Sequence, residues 1–295
     1  MAVGETNTKS SLHLRSNSLP SAPHPFTSQF EEHLQRLKDS EATSSLTSSS
    51  INYKLNGLRD LHECADKLLQ LPITQQALAG ECSNKCVDEL LDGSVRILDI
   101  CDTIKDCLVQ QKENMHELES AIRRRRDAKD GLLIESGKYL ASRKQMKKVI
   151  RKALGNLKGF KNELMVASSN KNNKTLSMLG ILKESEVVTM SSLESLLLFI
   201  TGSKGQSKQN RRSIISKLMQ PNTLGCDFPE ADTNVIEKVD AALMSLINHK
   251  PSPIDNFQSH LENLEICIQN LEVGVEYLSR QLIRTRVSLL NIFNH

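Results

Sequence analysis

The sequence predicts an all-α protein, an elongated bundle of long antiparallel helices with a disordered N-terminal arm. Three observations predict it. Aromatic residues are only 3% of the 295, with no Trp, three Tyr and seven Phe, and strands favour aromatic and β-branched side chains. Turn formers are scarce, with 13 Gly and 8 Pro. Two long segments repeat apolar residues in alternating steps of three and four, the period of a helix face. At 38% hydrophobic and 25% charged residues, the chain is too apolar to be wholly disordered.

The elements follow in order. Residues 1–25 hold Pro20, Pro23 and Pro25 in a Ser/Asn-rich run and read as the disordered arm. Phe26, Phe30, Leu34 and Leu37 then mark one face of a short helix. Residues 40–50 contain eight Ser/Thr, a low-complexity linker. The organisation expected is therefore an arm at 1–25, a short helix with linker at 26–50, and a bundle domain at 51–295.

The bundle begins with a helix capped by Ser50, with Ile51, Leu55, Leu58, Leu61, Ala65 and Leu68 as its stripe, ended by Pro72. A short helix over Thr74–Ala79 stops at Gly80. From a Ser83 or Asn84 cap, a heptad stripe runs Val87, Leu90, Ser94, Ile97, Cys101, Ile104, Leu108, Gln111, Met115, Leu118, Ile122. A helix over 84–126 is a rod of about 65 Å. Arg123–Arg126 suit its C-terminus.

A basic helix continues through Leu133, Leu140, Ile150, Leu154, Leu157 and Leu164, and a polar loop follows at 168–174. Leu176–Gly202 is apolar with Ser/Thr interleaved. Loops at 202–213 and 221–232 flank a short helix at Ser213–Met219, and Val235, Val239, Leu243 and Leu246 mark another. After Pro251 and Pro253 comes the clearest stripe: Ile254, Phe257, Leu261, Leu264, Ile268, Leu271, Val275, Leu278, Leu282, Thr285, Leu289, Ile292, capped by Ser252. Ile266, Val273 and Val287 add a second apolar line, too wide for a two-stranded seam and fitting a bundle helix flanked on two sides.

Net charge is +3, unevenly spread. Residues 51–110 carry six Lys/Arg and ten Asp/Glu, whereas 111–170 carry fifteen and seven. Attraction between these segments is the first expectation. Seven cysteines without CxxC spacing or a nearby His pair read as reduced, structural thiols in a reducing compartment. The N-terminus lacks the charged-then-apolar layout of a secretory signal. Residues 6–30 are Ser-rich and acid-free, as in a plastid transit peptide, but without its amphipathic Arg-rich helix. The cytoplasm is the expected location.

No nucleotide-binding loop, nucleophile elbow or H-E-x-x-H occurs, and eight histidines are scattered without ligand spacing. No cofactor or metal is expected, and the protein reads as non-enzymatic. The basic stretch 143–161 has eight Lys/Arg and no acid. Arg143, Lys144, Lys147, Lys148, Arg151 and Lys152 form its candidate patch for an anionic partner, with peripheral membrane contact as the second reading. Aromatic poverty disfavours nucleic acid, which needs stacking surfaces. In the arm, Arg15-Ser16-Asn17-Ser18-Leu19-Pro20 fits R-S-x-S-x-P. A phosphate on Ser18, with Arg15 before it and Pro20 after it, suits a phosphoserine-binding adaptor of the 14-3-3 class.

The arm from His13 to Ser21 with His24-Pro25, the Ser192–Phe199 stretch, and the terminal segments Leu261–Glu265 and Arg284–Ile292 resemble a plant-specific family that includes the BYPASS-type proteins. The resemblance spans roughly residues 12–293. It implies an all-helical protein without known catalysis, a link to root and shoot development, and no catalytic residues to carry over. The combined expectation is a non-enzymatic helical adaptor or regulator. The alternative is a peripheral membrane or organellar protein that uses the basic helix.

Overall fold

The computed structural model describes residues 24–42, 46–81, 84–124, 129–169, 178–202, 234–248 and 254–294. Among them the backbone forms eight helices and no strand: α1 (Pro25–Ala42), α2 (Ser48–Leu69), α3 (Pro72–Glu81), α4 (Asn84–Arg123), α5 (Lys129–Ser169), α6 (Met178–Thr201), α7 (Val235–Ile247) and α8 (Ile254–Asn294). The Arg15, Ser18 and Pro20 motif, the short helix expected at Ser213–Met219 and the Ser252 cap lie outside the described residues.

α2 starts at Ser48, three residues before its stripe. Thr47, not Ser50, is the cap: its hydroxyl accepts from the Ser50 N–H at 3.1 Å. The choice follows from packing. Leu46 precedes that cap and Ile51 lies one turn into the helix, and both join the core, a hydrophobic staple. Pro72 ends α2 and opens α3, where a missing N–H is harmless. α3 runs past Gly80 to Glu81.

The long helices pack along their lengths. Gln111 pairs with Tyr139, and Arg96, earlier on α4, pairs with Glu163, later on α5, so α4 and α5 are antiparallel. Lys112–Glu272, Lys105–Glu276 and Arg286–Ser94 make α4 and α8 antiparallel too. α2 and α8 run parallel, as Ser48–Cys267, Glu63–Tyr277 and Asp66–Ser288 show. α6 contacts α1 to α5 and is buried on nearly every side. It stops at Gly202, whose φ of +66° favours glycine.

A core cluster of Leu, Ile, Val, Met and Phe takes residues from α1, α2 and α4 to α8. Each fully buried Leu or Ile contributes about 1.5–3 kcal/mol. A smaller cluster around Leu78, Leu90 and Leu289 seals the α3 end. Gly93 lies inside α4 against the buried Glu186, whose carboxyl oxygens are 2.7 Å from where a Cβ would stand. Burial raises the Glu186 carboxyl well above the usual carboxylate range, with nearby Lys183 opposing.

The charge asymmetry is resolved differently from expectation. Among the described residues, no acid of 51–110 pairs with a base of 111–170. The one cross-pair runs the other way, Arg96 to Glu163 at 3.3 Å. The basic helix finds its acids on α6 and α7 instead.

Candidate anion-facing groove

α5 carries the predicted patch, and its neighbours sort those cations into two sets. The inner line of α5 is Leu132, Ser136, Tyr139, Arg143, Met146, Ile150, Leu154 and Leu157. Leu133 and Leu140, expected inside, are only half-buried. Arg143 is 1% exposed, so it does not belong to an outward patch.

Its surroundings explain this. Arg143 Nε donates to Asp240 Oδ1 at 3.2 Å and Nη2 to Asp240 Oδ2 at 3.3 Å. Nη1 donates to the Ile200 carbonyl at 3.0 Å and to Gln111 Oε1 at 3.4 Å. Gln111 in turn donates to the Tyr139 hydroxyl. A guanidinium is an apt cation to bury here, because its fork can satisfy several acceptors at once. Asn234 sets the geometry: Oδ1 caps α7 at the Ile236 N–H, and Nδ2 donates to the Phe199 carbonyl at 2.6 Å. That tie holds α7, and so Asp240, against the end of α6.

Lys147 also reaches Asp240, at 3.2 Å. Lys158 and Lys161 lie 3.7 and 3.8 Å from Glu194 of α6. Half of the eight cations of 143–161 are thus answered from within the bundle. Lys144, Lys148, Arg151 and Lys152 are exposed, and none has an ion-pair partner among the described residues. Their spacing of four, three and one places them on adjoining outward strips of one helix, along about 12 Å of axis.

Beside them, α4 and α5 enclose an open groove of about 610 Å³. Ile100, Ala153, Leu157, Val149 and Phe160 line it, with Arg96, Asp99, Thr103, Lys152, Asn156 and Glu163 at its polar positions. Arg96 stacks over the Phe160 ring at 4.4 Å and pairs with Glu163. The arrangement combines an apolar floor with a mixed polar wall, and of the four unanswered cations Lys152 stands on that wall. Such a groove suits an amphipathic helical segment.

Burial shifts several titratable groups of the described core toward their neutral forms. Burial pushes the Cys101 thiol up to about 12 and the Cys107 thiol up to about 11, and it raises Cys64 and Cys267 as well. Burial pushes His62 down to about 4. Its Nε2 meets Thr189 Oγ1 at 2.8 Å, and Thr189 donates onward to the Ser185 carbonyl. No group of three or more His, Cys, Asp or Glu among the described residues is placed to hold a metal.

Spacing within α5 does not single out the groove or the Arg143–Asp240 node. The one usable sequence signal is the run of cations without an acid; its division depends on Glu194 and Asp240, which lie 33 to 97 residues away along the chain.

The fold defines the class: an all-helical bundle whose fifth helix carries an exposed run of cations. The Protein BPS1 family model matches residues 54–292, and the chain belongs to that family. No curated protein and no solved structure gives a significant match. Among the described residues, no helix is long and apolar enough to cross a membrane.

Proposed function

We propose that this protein is a non-enzymatic helical adaptor that docks an acidic amphipathic segment of a protein partner in the α4–α5 groove. One observation carries the reading. Lys144, Lys148, Arg151 and Lys152 face outward without an ion-pair partner among the described residues, while Arg143, Lys147, Lys158 and Lys161 of the same helix are met by Asp240 and Glu194. Charges needed only for folding find acids inside the bundle; the outward four are left for something else. The apolar floor of Val149, Ala153 and Phe160 beside them favours a segment with an apolar face over a purely electrostatic contact. The resemblance to the BYPASS-type proteins supports a role in root and shoot development, acting in the cytoplasm. The arm adds a second contact for a phosphoserine-binding adaptor at Ser18.

The test uses the full chain and a labelled probe helix with Leu at i, i+3, i+4 and i+7 and Glu elsewhere. Fluorescence anisotropy reads binding. The wild type is expected to bind, more weakly as salt rises. The Lys144→Glu/Lys148→Glu/Arg151→Glu/Lys152→Glu variant is expected to bind at least tenfold more weakly with unchanged helical circular dichroism. Equal binding by both proteins, or none by the wild type, overturns the reading. Co-sedimentation with phosphatidylserine vesicles, in the absence of probe binding, replaces it with the peripheral-membrane alternative.

A further inference from the structure

α8 has an outer face that the bundle does not use. Ile266, Val273 and Val287 are 57%, 71% and 49% exposed, at steps of seven and fourteen along one line, with Ile283 beside them. Inward-facing residues of the same helix, from Phe257 to Leu289, are already in the core. The outer apolar line therefore has no role in closing the bundle. Val109 of α4 extends it sideways. It is exposed between Lys105 and Lys112, which hold Glu276 and Glu272 on either side of Val273.

Charge along α8 is divided in two. Asp255, Glu262, Glu265, Glu272 and Glu276 precede residue 277, with no Lys or Arg among residues 254–279. Arg280, Arg284 and Arg286 follow, with no acid from 277 to the end. Glu262 and Arg284 are both exposed, and neither has an ion-pair partner among the described residues.

We infer that this face is a self-association surface on which two copies of the chain pair α8 against α8, antiparallel about a two-fold axis at Val273. The pattern selects this occupant. An antiparallel mate sets each acidic half beside the partner's basic half, whereas a parallel mate sets like on like. With the axis at Val273, that side chain packs on the partner's Val273. Glu262 meets the partner's Arg284, and the symmetry makes this pair twice. Ile266 stands within one turn of the partner's Ile283. The outer line keeps the heptad spacing that lengthwise packing of two helices requires. Few apolar residues per copy make a small interface, so the expected dissociation constant is micromolar. The surface is separate from the α4–α5 groove and does not depend on it.

Sedimentation velocity of the full chain from about 1 to 200 μM tests this. The expected result is a shift from the monomer mass of 33.0 kDa to twice that value as concentration rises. Ile266→Glu/Val273→Glu is expected to stay monomeric with unchanged circular dichroism. Arg284→Glu is expected to weaken association at least tenfold by placing two acids together, and adding Glu262→Arg to it is expected to restore association. A wild type that is monomeric throughout, or a dimer indifferent to Ile266→Glu/Val273→Glu, overturns the proposal. A dimer that loses affinity with Arg284→Glu and is not rescued by Glu262→Arg overturns the antiparallel register.

Discussion

α5 and α8 are each 41 residues long, and they solve opposite problems. α8 lays carbon on the core from Phe257 to Leu289 and shows carbon outside at Ile266 and Val273. α5 places an arginine in the core and shows cations outside. The difference teaches how each inner face is made tolerable. Apolar side chains need only contact, which any well-packed neighbour supplies. A buried guanidinium needs acceptors at fixed positions, and a third element must bring them. Here α7 brings Asp240 and the end of α6 brings the Ile200 carbonyl. The outer faces differ in the same sense: α5 exposes cations, and α8 exposes an apolar line.

The comparison can be broken most directly at its centre. Arg143→Ala leaves Asp240, Gln111 and the Ile200 carbonyl without their main donor and opens a void. A loss of about 3–5 kcal/mol is expected in urea unfolding, since removing one member of a buried pair strands the other. If the loss is no larger than that of an exposed α5 lysine, the node does not hold α5, α6 and α7 together. On α8, Leu271→Ala is expected to cost about 2–4 kcal/mol by cavity formation alone, with no change on adding salt. A salt-dependent loss there removes the contrast between the two helices.

A smaller effect sharpens the lesson about buried polar groups through pH. His62 is buried and its folded value is about 4 against 6.5. Between these values the unfolded chain binds the proton and the folded chain does not. Stability is therefore complete above about 6.5 and falls by about 3 kcal/mol as pH drops toward 4. Glu186 acts in the other direction. Its raised folded value makes stability fall as pH rises above the unfolded value of 4.5. Equilibrium unfolding across pH 4–8 is expected to show the His62 slope vanish in His62→Phe, whereas Glu186→Gln is expected to gain stability at pH 7. Unchanged profiles in both variants show that neither group is desolvated in the folded state. The smallest effect is expected outside. Lys148→Ala and Val273→Ala should each change stability by less than about 0.5 kcal/mol, because both side chains stand outside the core.

Much of the fold was legible residue by residue. The α4 stripe from Leu90 to Leu118 and the α8 stripe from Phe257 to Leu282 are buried in the expected register, including the polar Ser94 and Gln111. Those stripes follow from the helical period and the drive to bury Leu and Ile, both local properties of the chain. The candidate site was legible only as an acid-free basic run. Leu133 and Leu140 suggested a register for the first turns of α5 that the structure does not adopt. Ser136, Tyr139 and Arg143 go inside instead, because Gln111, Ile200 and Asp240 wait there as partners. At Gly93 of α4 the Glu186 carboxyl of α6 takes the space a Cβ would need, a contact that the period of the stripe does not signal.

The sequence by itself determined the helices and their apolar faces, since periodicity and capping act over a few residues. Only the tertiary structure decided which cations are spoken for, because a charge is neutralised by whatever lies within a few ångströms, however far along the chain. That pairing divides the basic run of α5 into a buried anchor and an open surface. The parallel course of α2 and α8 was also decided there, by packing that brings Leu55 to within 2.9 Å of where a Cβ at Gly274 would stand.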